Sequence, residues 1–112
     1  MEWLYRSSYD AGSGSVIGSV DHFSVYGVGY KPAPVFTDTV AHWAKRDIDF
    51  VASRGLLTGT SDTTFSPNST ITRGMFVTAL GRLAGIDPAA YASSSRFSDV
   101  PAMAYYAPFV EW

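Results

Sequence analysis

The sequence has no cysteine, only two histidines, and no apolar run approaching the roughly 18 residues that a membrane span requires. Without cysteine, a zinc finger, a disulfide scaffold and a thiol nucleophile are excluded. Charge is sparse as well: 8 Lys and Arg stand against 10 Asp and Glu, a net of −2 with no basic cluster, which reads against nucleic acid as a partner. His22 and His42 fall in unrelated segments. Asp47, Asp49 and Asp62 form no acid–base pair and lack the spacing of a calcium loop, so no catalytic set, no metal site and no cofactor is read from them. Glu2 follows Met1 with no apolar stretch after it, so no leader peptide is visible. The chain opens in an aromatic-rich stretch and stops at Trp112 inside an apolar helical pattern, which reads as a piece of a larger protein.

What is present suffices for one ordinary domain. Of 112 residues, 46% are hydrophobic, too many for a disordered tail. The expected fold class is mainly α with a small β part: antiparallel strands first, then a helix–loop–helix repeat. Residues 1–31 read as the closing strands of a preceding β-domain. The strand candidates are Trp3-Leu4-Tyr5, residues 16–20 and residues 22–30, with a turn composition over residues 10–15 and Phe23 and Val25 sharing one face. Residues 32–35 carry Pro32 and Pro34, which favour extended backbone, and read as a linker.

Residues 36–92 form the first repeat. A helix is expected over residues 41–53, with Asp38 or Thr39 in the N-cap region and an apolar stripe of Trp43, Ala44, Ile48, Val51 and Ala52. Gly55 is its left-handed stop. The polar loop over residues 58–64 ends at Phe65, expected to plug against the helices. Thr72 caps a second helix by accepting the N–H of Gly74 or Met75. Its buried face is expected at Phe76, Ala79, Leu80 and Leu83. Gly74 and Gly81 each lower helix propensity by roughly 1 kcal/mol, and a close helix–helix approach would account for them. Gly85 ends this helix, and Asp87 caps a short turn opened by Pro88. Ser93-Ser94-Ser95 is a connector. Phe97-Ser98-Asp99-Val100 then restarts the pattern of Phe36-Thr37-Asp38-Thr39, with Tyr105, Val110 and Trp112 falling where Trp43, Ile48 and Phe50 stand. Residues 93–112 are thus the start of a second, truncated repeat, offset by 61–62 residues.

At the helix start, Arg73 sets a cation beside backbone N–H groups that lack partners, a combination that favours an anion. The ordered set Phe36-Thr37-Asp38-Thr39, Trp43-Ala44, Gly55-Leu56-Leu57-Thr58-Gly59, Phe65-Ser66-Pro67 and Ile71-Thr72-Arg73-Gly74-Met75 resembles the surface-layer homology (SLH) family. In that pattern Ala-Glu follows the arginine, and here Gly74-Met75 stands instead, removing an acidic cap partner. The resemblance implies an extracellular module of the cell wall and S-layer, holding a bacterial exoprotein non-covalently to an acidic secondary cell-wall polysaccharide, often one carrying pyruvate ketals. It implies a ligand-binding set of Arg73, Thr72, Asp38 and Trp43, with Arg73 on the acidic sugar. Asp38 and Trp43 match family positions, but their main expected roles are capping and core packing. The partners implied are the wall polysaccharide and neighbouring repeats. The other reading is a structural module that packs against repeats or copies of itself and has no glycan site of its own.

Overall fold

The computed structural model describes residues 4, 6–91 and 96–112. Its first elements are β1 (Ser7–Asp10) and β2 (Ser15–Gly18), an antiparallel pair in the register Ser7↔Gly18 to Asp10↔Ser15. The Asp10 carboxylate organises the connection, accepting the Gly12 N–H at 3.0 Å and the Ser13 hydroxyl at 2.6 Å, while Gly14 takes a left-handed φ of +66°. The turn therefore lies where its composition indicates. The first strand lies at Ser7–Asp10, and the expected Trp3-Leu4-Tyr5 strand falls largely outside the described residues.

Residues 22–30 form no strand, contrary to their alternation. Phe23, Val25, Val28 and Tyr30 are exposed, and no neighbouring strand offers its backbone to them among the described residues. Alternation marks a strand only when a partner satisfies its N–H and C=O groups.

The helical part is α1 (Lys45–Ser53), α2 (Arg73–Ala84), a 3₁₀ turn (Pro88–Tyr91) and α3 (Ala107–Glu111). The fold is mainly helical with a small β part, as the sequence indicates. α1 begins at Lys45 rather than near residue 41, because the chain before it is a run of tight turns. The His42 N–H bonds the Thr39 carbonyl at 3.0 Å, and the Lys45 N–H bonds the His42 carbonyl at 3.0 Å. Neither Asp38 nor Thr39 caps α1. Its N-cap is Ala44, with no side-chain cap bond. The Thr39 hydroxyl is buried and donates to the Phe36 carbonyl at 3.1 Å.

α1 ends as the sequence indicates. Gly55 has φ +69°, its N–H reaches the Ala52 carbonyl at 3.0 Å, and the Leu56 N–H reaches Val51 at 3.0 Å, a paired C-terminal cap. α2 closes the same way, with Gly85 at φ +71° and bonds from Gly85 to Arg82 and from Ile86 to Gly81.

The small core of the first repeat joins Phe36, Ile48 and Ala52, with Ala44 and Phe65 packed against it. Phe65 is the expected plug, its ring 5.3 Å from that of Phe36. Trp43 is no part of this core, being 88% exposed. Because the helix starts at Lys45, Trp43 sits in the preceding turn, outside the helical stripe.

α2 departs from expectation in which face it buries. Phe76, Leu80 and Leu83 are exposed, whereas Thr78 and Gly81 are buried. This narrow face receives α3. A Cβ on Gly74 would lie 2.7 Å from the Tyr106 ring, and one on Gly81 would overlap the Phe109 ring. The two glycines thus permit a close approach of aromatic side chains that any larger residue would block. α2 packs against α3, and α3 against the Pro88–Tyr91 turn, while no Cα of α1 lies within 8 Å of α2.

The turns that lead into α1 have counterparts ahead of α3. Bonds from His42 to Thr39, Lys45 to His42 and Ile48 to Ala44 recur as Ala104 to Pro101, Ala107 to Ala104 and Val110 to Tyr106. The second entry segment is fastened by Arg96, whose N–H bonds Glu111 Oε1 at 2.6 Å and whose Nε bonds Oε2 at 2.8 Å. That Arg96 backbone N–H, helped by the guanidinium, holds the Glu111 carboxyl below the usual range.

Candidate ligand-binding site

One end of the first repeat is made by the entry turn over residues 36–44 and the loop over residues 60–72. Several bonds clasp them together. The Thr37 N–H and hydroxyl both reach the Thr63 carbonyl, at 2.9 and 3.1 Å. Asp38 accepts the Phe65 N–H at 2.9 Å and the Ser66 N–H at 2.7 Å. These bonds, that of Phe65 first, pull the Asp38 carboxyl below its ordinary value. Asp38 therefore spends its acceptors on the loop rather than on a helix start.

The loop it holds is tightly constrained. Ser66 adopts φ +60°, uncommon for a residue with a Cβ, and its hydroxyl lies 2.7 Å from that of Thr60. Pro67 follows, and the Ser69 N–H closes the turn on the Ser66 carbonyl at 3.0 Å. Gly59 has φ +80°, and a Cβ there would sit 2.7 Å from the Thr64 carbonyl.

His42 adds a clasp that sequence reasoning missed. Its Nδ1 accepts the Ala44 N–H at 3.2 Å, which leaves the ring proton on Nε2 to donate to Asn68 Oδ1 at 3.2 Å. The Trp43 ring lies beside that of His42, with centroids 5.5 Å apart. The only sequence-level signal for this clasp was a histidine beside the tryptophan, too common a pattern to single it out.

The loop delivers the chain to Thr72, the cap of α2. Its backbone is extended, and its hydroxyl accepts the Met75 N–H at 3.2 Å. Arg73 is the first helical residue and is exposed. Among the described residues its guanidinium has no hydrogen-bond or ionic partner, and the N–H groups of Arg73 and Gly74 are likewise unengaged. Two unengaged N–H groups and a fixed positive charge thus stand together at one exposed helix start. Gly74 brings Tyr106 of the second repeat against this same turn, and Tyr105 stands edge-on to Tyr106 at 5.2 Å.

Of the four site residues expected from sequence, Asp38 and Trp43 lie on the entry turn and Thr72 and Arg73 at the far end of the loop. No hydrogen bond or ring contact joins one pair to the other among the described residues. Two open grooves, of about 620 and 340 Å³, lie along α1 and the segments before it rather than at Arg73. Among the described residues no His, Asp or Glu cluster is placed to hold a metal ion, and no helix is long and apolar enough to cross a membrane.

The family model described as the S-layer homology domain matches residues 35–74, from the residue before Phe36 to the start of α2. The chain is 36% identical over 111 residues to an amylopullulanase of Thermoanaerobacterium thermosulfurigenes, covering 98% of this chain and 6% of that protein. It is 38% identical over 81 residues to an endo-1,4-beta-xylanase A of Thermoanaerobacterium saccharolyticum, covering 72% of this chain and 7% of the relative. It is 36% identical over 81 residues to exoglucanase XynX of Acetivibrio thermocellus, again 72% and 7%. The chain thus spans 6 to 7% of the length of these curated relatives. No solved structure matches it.

Proposed function

Since this chain belongs to the S-layer homology family through residues 35–74, a family of the extracellular cell surface and cell wall, we propose that it anchors its parent protein non-covalently to an acidic wall polysaccharide. The observation that carries this reading is Arg73, a guanidinium without a partner among the described residues, beside two N–H groups likewise unengaged there, at a capped helix start. A guanidinium donates two parallel bonds to a carboxylate, the geometry a pyruvate ketal offers. Thr72 keeps that helix start in place. Exposed Trp43 supplies a flat apolar surface for a sugar ring, and Asp38 holds the loop between them. The residues present assign no catalytic step to this stretch. The names of the relatives support a polysaccharide-degrading enzyme as the parent protein, with this module outside its catalytic part.

Pull-down on purified cell-wall sacculi tests the reading, with Arg73→Ala as control and with walls stripped of pyruvate as a second arm. Retention of the native chain, lost in the variant and on stripped walls, is the expected result. Equal retention of both proteins sinks the role given to Arg73.

A second reading is favoured by the exposed Phe76, Leu80 and Leu83 on the side of α2 away from α3. In it the module packs against further repeats or copies of itself and has no glycan site. Light scattering separates the two, because a clean monomer that binds wall polymer argues against assembly.

A further inference from the structure

The hairpin β1–β2 should not stand alone. It has two strands of four residues, and every strand residue but Ser7 is exposed. Two-stranded hairpins without a covering layer are marginal in water. Ser7, the one less exposed residue, is where the helical part reaches it: Arg54, just past the end of α1, donates from Nη2 to the Ser7 carbonyl.

That guanidinium is held from several directions. Its carbon lies 3.6 Å from the centre of the Phe50 ring, and Nη1 lies 3.3 Å from the Phe50 carbonyl and 3.4 Å from the Ser53 hydroxyl. Its Nε is buried without a hydrogen-bond partner among the described residues. Leaving a charged group's donor dry and unpaired is unfavourable, and most surface arginines avoid it by extending into water. Here the side chain folds back over Phe50, and the groove of about 340 Å³ beside it has Phe50 on one wall and Arg6, Ile17 and Ser19 on the other.

We infer that Arg54 is a positioning residue that fixes the β-hairpin on the C-terminal end of α1, so that the hairpin and the first repeat move as one body. Phe50 is the platform on which the guanidinium lies, and the Ser7 carbonyl is the point it grips. The plainer role for Arg54 is to cap the last turn of α1 through the Phe50 carbonyl, a common use of a basic residue there. The two roles predict different responses in the hairpin.

Amide hydrogen exchange by NMR on the full chain separates them. The reporters are the Ser19 N–H, which bonds the Arg6 carbonyl at 3.2 Å, and the ladder amides of β1 and β2, compared with the amides of α1. In Arg54→Ala the hairpin amides are expected to exchange roughly tenfold faster or more, the consequence of losing one charge-assisted bond, with α1 little changed. Arg54→Lys keeps the charge and the stem but cannot fork between Ser7 and Phe50, so it should fall between the two. Native hairpin protection in both variants overturns the inference. So does an equal loss of protection in the hairpin and α1 in both, since that marks a cap and nothing more.

Discussion

The Asp38 carboxylate accepts the Ser66 N–H at 2.7 Å across 28 residues of sequence, and so pins a non-glycine residue at φ +60°. A carboxylate engaged in this way has its folded-state pKa below the unfolded value, which is about 3.9 for Asp. Its contribution is present above that unfolded value and is lost as pH falls through the folded one. Native protein should therefore lose thermal stability on acidification below about pH 4, and Asp38→Asn should be less stable at neutral pH with a flatter acid limb. Calorimetry over a pH series checks this. Parallel acid limbs would remove Asp38 from the account.

Gly81 under Phe109 predicts a size-specific effect. Gly81→Ala gains helix propensity of roughly 1 kcal/mol but overpacks a contact with no room for a methyl. The net effect should be a destabilisation of about 1–2 kcal/mol. Adding Phe109→Ala should make the alanine at 81 favourable. A denaturant-unfolding cycle over the four proteins measures the coupling.

Thr72→Ala removes the hydroxyl that accepts the Met75 N–H. A loss of about 1 kcal/mol is expected, with Thr72→Ser close to native. Urea midpoints at constant slope are the measurement. If the proposed site is right, Thr72→Ala also weakens wall retention, because the helix start that carries Arg73 frays.

Two left-handed glycines should behave differently. At Gly55 a Cβ meets open space, so Gly55→Ala costs only the conformational penalty, about 1 kcal/mol. At Gly59 the same methyl also strikes the Thr64 carbonyl and the Phe36 ring. Gly59→Ala should lower stability by about 3 kcal/mol or more. Thermal melts of the two variants side by side decide it, and equal shifts would mean the loop yields.

What could be read in advance follows a physical line. Gly55, Gly85, Thr72 and Asp87 act through bonds to residues within a few positions, so local sequence reveals them. The Phe and Asp that open the turns before α1 recur at Phe97 and Asp99, ahead of the turns before α3. The buried face of α2 was not. Hydrophobicity pointed to Phe76, Leu80 and Leu83, but the partner helix brings its own aromatic rings and requires small residues opposite them. Asp38 was misplaced for a similar reason: a short acidic residue ahead of a helix looks like a cap, and its bond to Ser66 depends on a loop that only the fold brings near. At the candidate site, sequence could place Arg73 at a helix start, while the His42–Asn68 clasp joins residues 26 apart that only the fold brings together.

Because α2 is covered by α3 and not by α1, the period of the sequence and the unit of packing are out of phase by half a repeat. A truncation that respects the motif boundary, removing residues 93–112, would strip the aromatic rings from Gly74 and Gly81 and leave α2 without its covering helix. Engineered fusions that borrow this module should carry the following entry segment with it, since a domain cut at the motif's edge is severed through the middle of an interface.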